Sequence, residues 1–130
     1  MKFQLETSDQ NLISNYGPGV ISVNGTEYRQ NLLITAEKVF EHWFDGPLST
    51  LALEHFQPIF DMAPESRPEI IVLGSGENHE FPNMSLLAEL QSQGIALEVM
   101  NTRAACRTYS VLVSEFRQVA AALIQIPLPN

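Results

Sequence analysis

Short runs of alternating apolar and polar residues occupy the first third of the chain, a pattern typical of half-buried β-strands. Asn24-Gly25 separates two such runs within GVISVNGTEYR (19–29), and both central residues of a type I′ turn need a positive φ. The sequence therefore predicts an N-terminal β-hairpin region. We interpret KVFEHWF (38–44), which fits a helix or a strand, as a strand. Three further runs are predicted strands: KFQLE (2–6), LISNY (12–16) and NLLIT (31–35).

The segment STLALEHFQPIFDM (49–62) carries apolar residues at helical spacing, at Leu53, Phe56 and Phe60. It predicts a helix, which the hydroxyl of Ser49 or Thr50 would cap. A proline lacks the N–H that a helix interior needs, so we expect Pro58 in this segment to bend or shorten the helix.

From Glu69 onward the pattern changes to alternating strands and helices. The continuous apolar run IIVLG (70–74) predicts a strand that is covered on both faces. NMSLLAELQSQG (83–94) predicts a helix that Asn83 caps and Gly94 ends, and IALEVM (95–100) predicts the next strand. A strand–helix–strand unit predicts two parallel strands joined by a right-handed crossover.

The last part of the chain predicts one more helix and one more strand. The helix spans TRAACRTYSVLVSEF (102–116). The alanines of QVAAALIQI (118–126) suit a helix, but we interpret this run as a strand, partly because of the family resemblance given below. With the earlier elements, this gives an α/β fold with about three helices. The predicted buried stripe of the helix is Ala105, Tyr109, Leu112 and Phe116.

Length and charge limit the classes of protein to which this chain can belong. The 130 residues, 45% of them apolar, are enough for a single domain over residues 1–130. A net charge of −8 argues against nucleic acid as a partner. One cysteine excludes an intramolecular disulfide, and the sequence shows neither an apolar run long enough to span a membrane nor a targeting segment. We therefore expect a cytoplasmic protein.

The sequence contains no complete catalytic or metal-binding motif. Its three histidines, His42, His55 and His79, lack the paired spacing of metal ligands. The motifs G-K-[ST], G-x-S-x-G and H-E-x-x-H are absent. We therefore predict no metal, no cofactor and no catalytic residue.

A first candidate site follows the buried strand, at Gly74, Ser75, Gly76 and Glu77. The two glycines fit the start of a dinucleotide fingerprint, but His79 stands at the third glycine position and the next helix begins too late to receive a phosphate. Two interpretations stay open. The glycines allow a tight exit from the strand, or the backbone N–H groups of the loop line a small-ligand site.

A second candidate site opens the last helix, at Thr102, Arg103, Cys106 and Arg107. Both sites follow carboxyl ends of predicted parallel strands, where α/β proteins bind ligands, so we expect them to meet. Two arginines in the first turns of a helix are unfavourable unless an anion or an acidic side chain such as Glu77 faces them. A small bound anion is one hypothesis, and a solvated face is the other. Cys106 is either a reactive thiolate or a small buried residue.

Several segments together resemble a family of conserved proteins, of the Mth type, that includes a mitochondrial assembly factor of respiratory complex I. The resemblance implies a three-layer α/β domain with a mixed central sheet, whose last strand, near 118–126, runs antiparallel to its neighbours. The family provides no catalytic residues to transfer. The chain resembles bacterial members of this family. The segments are PEIIVLGSG (68–76), GIALEVMNTRAACRTYSVL (94–112), RQVAAAL (117–123) and ISNYGPGVISVNG (13–25).

Two functions follow as hypotheses. The first is a non-catalytic binding or assembly protein with protein partners and no membrane span, for which a homodimer is also allowed. The second is a small-molecule or anion-binding protein, or an enzyme, with a pocket between the 74–77 loop and the start of the 102–116 helix. The two differ in whether those segments line a cavity or are closed by packing.

Overall fold

The computed structural model describes residues 10–129, in which eight strands form two sheets. The first sheet is antiparallel and contains Ile13–Gly17 (β1), Val20–Val23 (β2) and Thr26–Tyr28 (β3). Asn24 and Gly25 join β2 to β3 with φ angles of 50° and 87°, which confirms the predicted hairpin turn. The strand predicted over residues 2–6 lies outside the described residues.

The second sheet has five strands and forms the centre of the fold. They are Leu32–Thr35 (β4), Val39–Glu41 (β5), Ile70–Gly74 (β6), Ala96–Met100 (β7) and Val119–Leu123 (β8), in the spatial order β5-β4-β8-β6-β7. The parallel pairing of β6 with β7 confirms the predicted crossover unit. The strand interpretation is confirmed for residues 39–41 of KVFEHWF and for residues 119–123 of the alanine-rich run.

The described residues form three α-helices, Gln57–Phe60 (α1), Met84–Ser92 (α2) and Thr102–Ser114 (α3). The helix predicted over 49–62 is broken into two short 3-10 segments followed by α1. Pro58 lies in the first turn of α1, where its missing N–H has no partner to lose. The Asn83 side chain caps α2 by accepting from the Ser85 N–H at 3.0 Å, as the sequence predicted.

The last strand does not run as the family resemblance implied. β8 is antiparallel to β4 but parallel to β6, so the expectation that it opposes both neighbours was wrong for β6. The physical reason is α3, which carries the chain back along the sheet before β8 begins. A strand that follows such a helical crossover runs parallel to the strand that preceded the helix. The central sheet is mixed, as expected.

The five-stranded sheet is covered on both faces, which gives the three predicted layers. Strand β8 is buried throughout, and its residues alternate between two core clusters. One cluster joins the sheet to α3 and to the first sheet, through Ile21, Val23, Ala105, Tyr109 and Val113. The other joins it to α2 and to the segment around α1, through Phe56, Ile59, Leu86 and Leu90.

The buried stripe of α3 differs in part from the predicted one. Ala105 and Tyr109 are fully buried, and the Tyr109 hydroxyl donates to the Asn11 carbonyl at 2.8 Å. Leu112 is partly buried and packs against the same core cluster, whereas Phe116 is 59% exposed, so the prediction was wrong for Phe116. The observed stripe is Thr102, Ala105, Cys106, Tyr109 and Val113.

Phe116 is exposed because the helix has already ended. Its φ is 63°, and its N–H donates to the Val113 carbonyl at 3.0 Å while the Arg117 N–H donates to the Leu112 carbonyl at 3.0 Å. These two bonds form a Schellman motif, whose left-handed residue is usually glycine. A residue beyond the last helical turn does not follow the helical period, so the spacing rule failed there.

We expect Phe116→Gly to raise the free energy of unfolding by about 1 kcal/mol, because glycine adopts a positive φ without the β-carbon clash. Urea unfolding of the purified protein measures the change. Phe116→Ala is the matched control, since it also removes the ring but keeps the β-carbon. A Gly variant no more stable than the Ala variant would contradict the assignment of strain to this residue.

Candidate functional site

The loop after β6 is pressed against the start of α3. A β-carbon placed on Gly74 would lie 2.8 Å from Thr102 Oγ1 and 2.9 Å from Thr102 Cα. Separations that short do not occur between real side chains and backbone, so only glycine fits here. The two candidate segments therefore meet, as the sequence predicted, but they meet in direct contact.

Thr102 connects this loop to two other parts of the chain. Its hydroxyl is fully buried, accepts from the Gly76 N–H at 2.8 Å and donates to the Ile124 carbonyl at 2.7 Å. Its own N–H donates to the Gly76 carbonyl at 2.9 Å. Both backbone groups of Gly76 are therefore engaged in contacts with the first residue of α3.

Ser75 holds the rest of the loop together. Its hydroxyl lies 2.5 Å from the Asn78 carbonyl and 3.2 Å from that of Met100, and it accepts from the Glu80 N–H at 3.0 Å. Its backbone N–H donates to the Met100 carbonyl at 2.9 Å. Together with the φ of 104° at Gly76, these bonds favour the interpretation of a tight exit from a buried strand.

The charged residues of the candidate site lie on the surface. Arg103 Nη2 is 3.8 Å from Glu77 Oε1, and both side chains are roughly half exposed. Arg107 Nη1 donates to the Tyr16 hydroxyl at 3.0 Å. An exposed pair at this distance contributes little to stability. The small-anion site and the assignment of these residues to a ligand or partner site stay predictions.

Cys106 is buried on the core side of α3. Burial raises the pKa of its thiol from 9.0 to about 12, while the neighbouring Arg107 acts in the opposite direction. Desolvation is the larger effect, since the arginine lies on the exposed side of the helix. A thiol with this pKa is protonated at neutral pH, which favours the structural interpretation of Cys106.

Exposed apolar side chains that the sequence did not predict lie in the loop after β6 and at the first residue of α2. Phe81 is 61% exposed and Met84 is 70% exposed. The His79 ring packs against that of Phe81, with the two centroids 4.7 Å apart. We call these three residues the Phe81 ridge. The available signal was an aromatic residue before proline in a polar loop, outside any strand or helix period.

Within residues 10–129, no group of three or more His, Cys, Asp or Glu side chains is arranged to hold a metal ion. The helices of this described part are all too short or too polar to cross a membrane. Three grooves on the described surface are lined by residues outside the 74–77 loop and the start of α3.

Residues 13–124 match the family described as "Protein of unknown function (DUF498/DUF598)". The chain belongs to this family. It is 33% identical over 124 residues to "NADH dehydrogenase [ubiquinone] 1 alpha subcomplex assembly factor 3" of Danio rerio, covering 95% of this chain and 70% of that one. The resemblance to a family that includes a complex I assembly factor is thereby confirmed.

Bacterial proteins are similar as well. The "13 kDa major membrane protein" of Francisella tularensis subsp. holarctica is 28% identical over 110 residues, which cover 84% of this chain and 86% of that protein. An NMR structure from Xanthomonas campestris superposes with a TM-score of 0.77 at 32% identity, covering 92% of this chain and 88% of the other. The three-layer fold is therefore that of solved bacterial relatives.

We expect Gly74→Ala to lower the free energy of unfolding by roughly 1–3 kcal/mol, since the new methyl group collides with the backbone of Thr102 and forces α3 to shift. Thermal or urea unfolding measures the loss. Gly17→Ala is the control, because a β-carbon there meets no atom within 4 Å. Equal losses of unfolding free energy from the two substitutions would contradict a steric clash between residue 74 and Thr102.

We expect the Cys106 thiol to react slowly with iodoacetamide in the folded protein and rapidly after unfolding. Its folded pKa of about 12 exceeds the ordinary 9.0, so its effect on stability is constant below pH 9. Between these values the unfolded state loses the thiol proton first, so stability falls as pH rises. The Cys106→Ala variant has no thiol to titrate, so its free energy of unfolding should fall less between pH 9 and about 12. Fast alkylation of the native protein near pH 7 would refute the structural role.

Proposed function

We propose that this chain is a non-catalytic protein of the assembly type, which binds another protein through the surface around the 74–77 loop. The observation that carries the proposal is the similarity to the Danio rerio assembly factor, which extends over 95% of this chain. By that similarity, the proposed partners are subunits or assembly intermediates of a respiratory NADH dehydrogenase. The proposed location is the cytoplasm.

The loop geometry supports binding through exposed side chains. Gly76 and Ser75 form hydrogen bonds with Thr102, Met100 and neighbouring loop residues. The side chains that remain exposed to a partner are therefore those of the Phe81 ridge. Glu77 precedes the ridge in the sequence, and Arg103 of α3 faces Glu77. Exposed aromatic and methionine side chains are typical of the centre of a protein interface.

The proposed interface also explains why the candidate residues fall into two groups. Gly74, Ser75, Gly76, Thr102 and Cys106 fix the shape of the loop and helix from inside. Glu77, Arg103 and Arg107 are the charged residues that a partner would contact at the rim. Rim charges of this kind steer association and contribute to specificity more than to affinity.

The test is photo-crosslinking in living cells. A benzoyl-phenylalanine residue replaces Phe81 in one variant and Val111, which is 55% exposed on α3, in a control variant. We expect covalent adducts with subunits or assembly proteins of the NADH dehydrogenase from position 81, and few or none from position 111. Mass spectrometry of the adducts identifies the partner.

A second variant links binding to function. Phe81→Ser combined with Met84→Ser should leave the thermal unfolding temperature nearly unchanged, because both side chains are mostly exposed. It should reduce the amount of fully assembled NADH dehydrogenase on native gels. Normal assembly in cells that carry this variant, together with adducts that do not depend on the position of the crosslinker, would refute the proposal.

A further inference from the structure

Strand β7 forms an open edge of the central sheet. The Ala96 N–H donates to the Glu69 carbonyl at 3.0 Å, and the Met100 carbonyl accepts from the Ser75 N–H at 2.9 Å, so both residues face β6. The N–H and C=O groups of successive strand residues point in opposite directions, so those of Leu97 and Val99 point away from β6, out of the edge of the sheet. Among residues 10–129, no strand pairs with this outer edge.

A groove lies beside this edge. It has a volume of about 480 Å³ and runs between β7 and α2. Leu97 and Val99 pack against the core cluster on the α2 side. The groove is lined by Leu87 of α2 and Leu97 together with three polar residues, Glu69, Gln91 and Glu98. A strand edge next to a helix groove has the geometry that binds extended peptides by strand addition.

The other face of β7 carries one acidic side chain, Glu98, between Ala96 and Met100. Glu98 is exposed, its side chain lies on the face opposite to Leu97 and Val99, and within the described part of the chain it forms no ion pair. The whole chain carries a net charge of −8. A strand added next to β7 would therefore place one set of side chains against Leu87 and Leu97 in the groove and the other set beside the Glu98 carboxylate.

We propose that the outer edge of β7 binds an extended segment of another protein in which apolar and basic residues alternate. The backbone of the segment bonds to Leu97 and Val99, its apolar side chains enter the groove beside Leu87, and a lysine or arginine faces Glu98. This inference rests on the proposed protein-binding function and deepens it. The groove is lined by none of the Phe81 ridge residues, although Met84 lies on α2 three residues before Leu87.

A second copy of this chain fits the edge less well. Full antiparallel overlap of two β7 strands would put Glu98 directly opposite Glu98 of the other copy. Like charges in that position destabilise a strand pair, whereas opposite charges stabilise it. The single acidic residue at the middle of the strand thus discourages self-pairing and favours a basic partner.

The experiment uses the full chain labelled with ¹⁵N and a short capped peptide of alternating valine and lysine. We expect backbone amide shifts centred on β7 and α2, and slower hydrogen exchange of the Leu97 and Val99 amides when the peptide is bound. Two peptides serve as comparisons, one of the same composition with the alternation scrambled and one of alternating valine and glutamate. Both should bind more weakly.

Charge exchange tests the role of Glu98. Glu98→Lys should weaken binding of the valine–lysine peptide by about fivefold and favour the valine–glutamate peptide instead. Glu37→Lys is the matched control, because Glu37 is exposed between β4 and β5 at the opposite edge of the sheet. Phe81→Ser alone should leave peptide binding unchanged, because Phe81 lies outside α2 and does not line the groove, so failure of this proposal is distinguishable from failure of the Phe81 ridge.

Three outcomes would overturn the proposal. One is amide shifts that avoid β7 and α2. Another is equal binding of the alternating and scrambled peptides, or an equal effect of Glu98→Lys and Glu37→Lys. The third is concentration-dependent dimerisation in sedimentation experiments with protection of the Leu97 and Val99 amides in the absence of peptide, which would assign the edge to a second copy.

Discussion

The hydroxyl of Thr102 holds together the ends of the two central parallel strands. It bonds to the Gly76 amide just beyond β6 and to the Ile124 carbonyl just beyond β8, and it is fully buried at the start of α3. Removing this hydroxyl would leave the Gly76 N–H and the Ile124 carbonyl without this partner. Each unsatisfied buried group costs roughly 1–3 kcal/mol of stability. The absence of a β-carbon at Gly74 is what lets α3 approach closely enough for this contact.

This contact has a consequence for the function of the carboxyl edge of the sheet. In many α/β proteins that edge is an open cleft whose backbone N–H groups receive a ligand. Here the first turn of α3 packs against the loop, and the N–H groups of Ser75, Gly76 and Glu80 bond to protein atoms instead. The edge therefore offers shape, charge and exposed apolar side chains to its surroundings, and these are properties that suit recognition of a protein surface.

The periodic parts of the sequence were sufficient for most of the fold. The Asn24-Gly25 turn, the apolar run of β6 and the capped helix α2 each depend on local rules, and each was predicted correctly. Features that depend on contacts between distant parts of the chain were predicted less well from the sequence. The direction of β8 relative to β6 depends on how far α3 carries the chain, and the exposure of Phe116 depends on where that helix ends.

The candidate site shows the same division between local and long-range information. Its residues could be named from the sequence, because they follow strands and open a helix. That Gly74 serves close packing could not be read from the sequence, since the reason is a threonine almost thirty positions later. The Phe81 ridge was missed because an exposed aromatic residue in a loop has no periodic pattern to reveal it.

The position of β8 also constrains how the protein is made. This strand pairs with β4 on one side and β6 on the other, yet it is the last strand of the described chain to be synthesised. Until residues 119–123 leave the ribosome, β4 and β6 have no common neighbour and both core clusters lack their central residues. The nascent chain thus carries apolar strands without their partner through most of its synthesis, which is the period when chaperones protect such surfaces.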